Sequence, residues 1–205
     1  MDALPGRIPL FPLPNVVLFP QMPLPLHVFE PRYRKMVADV RQGHDLIGMV
    51  LLKPGWEPLY QGRPPVFPVG CAGRVEQCEP LPDGRYNLVL RGTARFRIVE
   101  EHGGEPYRVA TVEARAESLD PIRVESLRVE LIEAIRETSP QEAVSMEGQL
   151  PPDLFINALS QSLDLTPLER QALLECDDLA VRGQRLIELL AFKRLERQAG
   201  SQRLH

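Results

Sequence analysis

The chain has 205 residues, of which 43% are hydrophobic and 25% charged, and a formal net charge of −4 at pH 7. That length can bury a core without metals or disulfides, and the mild acidity gives none of the basic character that marks a nucleic-acid-binding domain. No stretch approaches the ~18 apolar residues of a bilayer-spanning helix, the start of the chain lacks the apolar run of a secretory signal, and the three cysteines form no Cys-x-x-Cys pair, so a cytoplasmic protein without disulfides or zinc is expected.

In chain order, the first signal is a run of prolines at 9, 12, 14, 20, 23 and 25 inside an apolar stretch. Each removes an amide donor and fixes φ, so this stretch predicts edge strands, kinks and turns rather than a helix. A helix follows from Pro31 to Gln42, with proline in its first turn, Gly43 just past its end, and Tyr33, Met36, Val37 and Val40 at spacings of three and four. Residues 46–52 form a continuous apolar run, as expected of a strand buried on both faces. Residues 53–68 have no periodicity, hold the only tryptophan, and read as a long loop. Strands are predicted at 69–79, 86–90, 96–100 and 107–114, separated by turn signals at Pro82-Asp83-Gly84 and Gly103-Gly104. Short strands with regular turns suggest a closed or nearly closed antiparallel barrel.

From Asp120 onward the pattern is helical. Val124, Leu127, Leu131 and Ile135 make one apolar stripe in a helix ending near Pro140; residues 142–149 show little periodicity. A second helix over 153–164 carries Phe155, Leu159 and Leu163. A third opens at Thr166-Pro167-Leu168-Glu169, a capping box, and a long last helix starts after Asp177 or Asp178 and runs to about 199. These helices are too apolar to stand alone and should pack as a bundle against the barrel. The expected class is therefore α+β, a β subdomain over 1–118 followed by a helical bundle over 119–205.

The segment from Ile8 to Pro20, the Leu26-His27-Val28-Phe29-Glu30-Pro31-Arg32-Tyr33 that follows, and the later pieces at 153–163, 170–175 and 185–190 resemble, in order, the N-terminal domain of Lon proteases. The resemblance covers about 8–195 and implies a PUA-like β-barrel with a C-terminal helical bundle. It also implies a substrate-binding role: recognition of unfolded or extended polypeptide, or docking onto a Lon-type protease. A free-standing member of the family, without the ATPase and protease modules, is the expectation.

Catalytic chemistry has no foothold. There is no Gly-Lys dipeptide, so no Walker-type phosphate loop is present, and Lys35, Lys53 and Lys193 lie in no segment resembling the family's serine–lysine dyad. His27, His44, His102 and His205 are scattered singly, and the polar cluster at 100–105 beside Gly103-Gly104 reads as a solvated hairpin tip rather than a metal site. No cofactor, metal or catalytic residue is expected. Two surfaces are candidates for binding. Arg74, Arg85, Arg91, Arg95, Arg97 and Arg108 fall on consecutive predicted strands and would suit RNA, but Glu76, Glu79, Glu100, Glu101 and Glu113 share those strands and argue for ion pairing instead. The second surface is apolar: Met22, Leu24, Trp56, Tyr60 and Phe67, with Leu26 and Phe29 beside them, at proline-framed edges and in the long loop where extended polypeptide can dock.

Overall fold

A computed structural model describes residues 4–60, 62–103, 106–138 and 150–202. Gly104 and Glu105 of the expected hairpin tip, the segment 142–149 and His205 lie outside them. The described strands are β1 (Arg7–Leu13), β2 (Pro23–Val28), β3 (Leu46–Leu51), β4 (Val69–Pro80), β5 (Tyr86–His102) and β6 (Arg108–Ala114). The helices are α1 (Pro31–Val40), α2 (Pro121–Thr138), α3 (Pro152–Ser162), α4 (Pro167–Leu174) and α5 (Leu179–Gln202), and Glu57–Leu59 forms a 3-10 turn. The chain divides into two compact units, Met1–Ala116 with Gln161–Glu175, and Glu117–Ser160 with Cys176–His205.

In the first unit the strands pair in the order β2-β5-β4-β3-β1-β6, and β5 also pairs with β6, so the path β5-β4-β3-β1-β6 returns to its start. The sheet is mixed, which corrects the antiparallel expectation: β1 and β3 run parallel, from Leu10↔Gly48 to Leu13↔Leu51. A parallel neighbour requires a crossover connection, and residues 14–45, with β2 and α1, are long enough to make one. Ile8, Leu10, Val50, Ala72, Phe96, Ala110 and Val112 form a buried cluster inside this unit.

The prolines of β1 do not make it an edge strand. The Gly6 carbonyl accepts from Val112 N, so even-numbered residues face β6, while the Leu13 carbonyl accepts from Leu52 N, so odd-numbered residues face β3. Pairing with β6 covers only Arg7 to Leu10, and pairing with β3 only Leu10 to Leu13. Pro9 therefore turns its missing donor to the β3 side before that pairing begins, and Pro12 turns its own to the β6 side after that pairing has ended. Each proline sits where its ladder needs no N–H.

The two strands expected at 86–90 and 96–100 are one strand of 17 residues. Residues 91–95 lie between those two expected strands, but the ladder shifts register at Thr93 and continues, and the Thr93 hydroxyl donates to the Ala72 carbonyl at 3.0 Å. A bulge bends a strand without ending it. Gly92 is required at this bend: a Cβ would lie 2.0 Å from the Phe19 carbonyl oxygen, because Gly92 exchanges backbone hydrogen bonds with Gln21 and Met22. The Pro82-Asp83-Gly84 turn forms as expected, with Gly84 at φ 79°.

The segment 161–175, which the sequence places with the helical half, packs in the first unit. The Gln161 side chain accepts from Phe19 N at 3.1 Å and donates to the Pro23 carbonyl at 2.7 Å. Gln171 Nε2 donates to the Val69 carbonyl at 3.0 Å, and Arg95, 1% exposed, donates to the carbonyls of Leu174 and Ala116, both at 2.7 Å. The capping box forms as read: Thr166 Oγ1 accepts from Glu169 N and the Glu169 carboxylate accepts from Thr166 N.

In the second unit α2, most of α3 and α5 bury Val124, Leu131, Ile135, Phe155, Ile156, Leu159, Leu186 and Leu190. Asp178, of the two candidates, caps α5: its Oδ1 accepts from Ala180 N at 2.8 Å and Val181 N at 3.0 Å. The N–H of Val181 foremost, with those of Ala180 and the nearby Arg123, holds the Asp178 carboxyl below the usual carboxylate range. A depressed folded-state pKa means stability that is present at neutral pH and lost as pH falls through that folded value. Asp178→Ala is expected to cost about 0.5 to 2 kcal/mol at pH 7, as cap removal does. Denaturant titrations of both proteins at pH 7 and pH 3 check it: the gap should narrow at the lower pH.

Candidate polypeptide-binding surface

The surface of interest begins on β2, which among the described strands pairs with β5 alone and is an edge. Its backbone has a fixed polarity. The Met22 carbonyl accepts from Gly92 N, so Leu24, Leu26 and Val28 turn their peptide groups toward β5 and Pro23, Pro25 and His27 turn theirs to the open side. Two of those three residues are prolines and have no N–H. The open edge thus presents the carbonyls of Pro25 and His27, that of Pro23 being taken by Gln161, against a single donor, the His27 amide.

Side-chain parity sorts the same strand a second way. Leu24, Leu26 and Val28 share a face with Leu88, Leu90 and Cys78, whereas Pro25 aligns with Val89 and Gln77 in one cross-strand row, and His27 with Asn87 and Glu79 in the next. The second row is hydrogen bonded across three strands. His27 Nδ1 lies 2.8 Å from Asn87 Oδ1, and Asn87 Nδ2 donates to Glu79 Oε2 at 3.1 Å. Arg85 Nη1 is 3.2 Å from His27 Nε2; these partners select the tautomer that donates from Nδ1 and accepts at Nε2. Both rows line an open groove of about 560 Å³. One residue past β2, Phe29 is 60% exposed and stacks beside His27 with ring centroids 6.3 Å apart.

The loop at 53–68 is anchored rather than loose. Glu30, at the N-terminus of α1, receives the Tyr60 hydroxyl on one carboxylate oxygen and Arg32 on the other, the latter at 3.0 Å. Arg32 also donates to the Tyr60 carbonyl at 3.3 Å, and its guanidinium lies over the rings of Tyr33 and Tyr60 at 4.6 and 5.0 Å. Trp56 meets Tyr60 edge to face with centroids 5.3 Å apart. Burial, and then the Glu30 carboxylate, push the Tyr60 hydroxyl pKa up, while burial pushes that of Tyr33 to about 12. Both phenols therefore stay neutral donors at physiological pH.

Among the residues singled out from the sequence, the structure brings Trp56 and Tyr60 together and half-buries both. Phe67 is also half-buried but lies under Lys53, whose Nζ is 5.8 Å from the ring centroid. Leu24 is half-buried on the β2 face opposite Pro25 and His27. Met22, 7% exposed, belongs to the core and cannot contact a ligand as it stands. Sequence reasoning passed over Pro25, Asn87, Glu79 and Val89 as partners of a groove; the period-two alternation of β2 was the available signal, but its register against β5 and β4 was not.

Of the six arginines of the candidate stripe, Arg97 is exposed, and the other five are buried or engaged. Arg95 is buried, Arg108 is 8% exposed and paired with Glu101, Arg91 pairs with Glu76 and Arg85 with Asp83, while Arg74 donates to the His44 carbonyl. Among the described residues no group of three or more His, Cys, Asp or Glu is placed to hold a metal, and no helix is long and apolar enough to cross a membrane.

Residues 7–191 match the family profile of the ATP-dependent protease La (LON) substrate-binding domain. Lon protease 2 of Myxococcus xanthus is 30% identical over 94% of this chain and 24% of its own length, and Lon protease of Flavobacterium johnsoniae is 28% identical over 96% of this chain and 25% of its own. The chain thus spans about a quarter of the curated relatives it matches. Among solved structures, a Lon N-terminal domain protein from Xanthomonas campestris is 28% identical, with a TM-score of 0.62, over 90% of this chain and 97% of that one. The N-terminal domain of Mycobacterium avium complex Lon protease shares the fold at 17% identity, with a TM-score of 0.69, over 90% of this chain and 98% of that one.

Proposed function

We propose a polypeptide-binding role from one premise: this chain belongs to the family of the Lon substrate-binding domain. It acts as a non-catalytic module that holds unfolded or extended polypeptide on its first unit. The pairing path that returns to β5 supports reading that unit as the PUA-like barrel of the family.

The observation that carries the proposal is the aromatic pair Trp56 and Tyr60, fixed to the start of α1 through Glu30 and Arg32. A half-exposed aromatic side chain held by a rigid scaffold gives contact area with few rotors left to immobilise on binding. Leu24 and Phe67 extend the candidate surface, and the acceptor-rich edge of β2 adds backbone groups without the alternating donors and acceptors that would let two copies pair edge to edge.

Fluorescence anisotropy with a labelled, permanently unfolded polypeptide tests this directly. Trp56→Ala is expected to weaken binding by roughly 1 to 3 kcal/mol, the range for truncating an aromatic anchor, with little change in melting temperature. Were Trp56 a core residue, the same change would cost ~3 to 5 kcal/mol of folding stability. A well-folded variant with unaltered binding removes Trp56 from the site; a wild-type chain with no measurable affinity removes the function.

A further inference from the structure

We infer that the groove across β2, β5 and β4 selects, within the bound polypeptide, a basic side chain that adjoins an apolar one; this rests on the polypeptide-binding reading above. The groove carries one carboxylate that nothing described neutralises. Glu79 lines the groove and accepts from Asn87, and no described cation pairs with it, whereas the neighbouring acids are neutralised, Glu76 by Arg91 and Asp83 by Arg85.

A guanidinium or ammonium group offers donors only, and a guanidinium offers five of them in a planar fork. It matches the Glu79 carboxylate, one oxygen of which accepts from Asn87. The adjoining row, Pro25 and Val89, and the exposed ring of Phe29 supply apolar surface for the next side chain of the ligand. An acidic residue in the same place meets Glu79 and is rejected.

The test uses the full chain and two labelled twelve-residue peptides of Gly, Ser and two Leu residues, one with Arg and the other with Glu beside each Leu. The Arg peptide is expected to bind at least tenfold more tightly, with the difference shrinking as salt is raised. Glu79→Lys, a change at an exposed position, should abolish or reverse that preference, and Glu79→Gln should reduce it several-fold. Equal binding of the two peptides to the wild type, or a preference that survives Glu79→Lys, overturns the inference. The two readings separate in the same series: a chain that holds the unfolded polypeptide but shows no preference loses only the groove, while one that binds neither the peptides nor the unfolded polypeptide loses both.

Discussion

A chain truncated after Glu117 is expected to aggregate, or to melt far below the full-length protein, although it retains the six described strands. The reason lies within the first unit, which takes Gln161–Glu175 as part of its own fold. Truncation removes the amide that satisfies Phe19 N and the Pro23 carbonyl, the Gln171 amide bound to the Val69 carbonyl, and the Leu174 carbonyl that accepts from buried Arg95. Each buried group left without a partner costs about 1 to 3 kcal/mol. Leu173 and Leu174, each 1% exposed, also leave, and fully burying such a side chain contributes ~1.5 to 3 kcal/mol. Together these losses are comparable to the ~5 to 15 kcal/mol of a whole domain. Thermal denaturation followed by circular dichroism, with light scattering for solubility, is the check. A soluble truncated chain with an unchanged midpoint would show that α4 is dispensable to the sheet.

What was legible in the sequence is what depends on neighbours along the chain. The apolar run at 46–52 becomes β3, buried at every residue, and Thr166 with Glu169 caps α4 because both partners of that box lie within one turn. What depends on partners distant in sequence was not legible. Residues 91–95 fall outside both expected strands until the bulge at Thr93 of β5 and the approach of Phe19 to Gly92 are known. Prolines at 9 and 12 argue for an edge until each neighbour of β1 is seen to cover only half of it. Met22 looked like part of an exposed apolar edge because hydrophobicity alone does not tell which side of a strand faces the core. Arg95 looked like one of a surface series; only the arrival of α4 and the chain at Ala116 shows that it is a buried donor to two carbonyls. For the binding surface, the aromatic pair was visible as Trp56 and Tyr60, but its anchor, Glu30, lies 30 residues from Tyr60.

Arg182 is the other residue whose loss should be severe, and it lies in the second unit. Its side chain is fully buried at the start of α5 and donates to Asn157 Oδ1, to the Glu117 carboxylate and, at 2.9 Å, to the Cys176 carbonyl. It thereby ties α5 to α3, to the segment between β6 and α2, and to the segment after α4. Arg182→Ala leaves a cavity, an Asn157 amide buried on all sides, and a carboxylate with only 18% of its side chain exposed to water. Breaking one side of such a buried pair typically costs ~3 to 5 kcal/mol, chiefly because the remaining charge stays desolvated. Glu117→Leu should be similarly harmful, since it strands the guanidinium. Combining Arg182→Met with Glu117→Leu removes both charges and should recover much of the loss, because an apolar pair of like volume avoids the desolvation cost. Urea midpoints for the wild type, Arg182→Met, Glu117→Leu and the double variant form a complete cycle, with Arg182→Ala measured beside them. If Arg182→Ala costs under about 1 kcal/mol, or the double substitution is as unstable as the sum of the singles, the network does not hold these segments together, and the stability of the second unit comes from its apolar core alone.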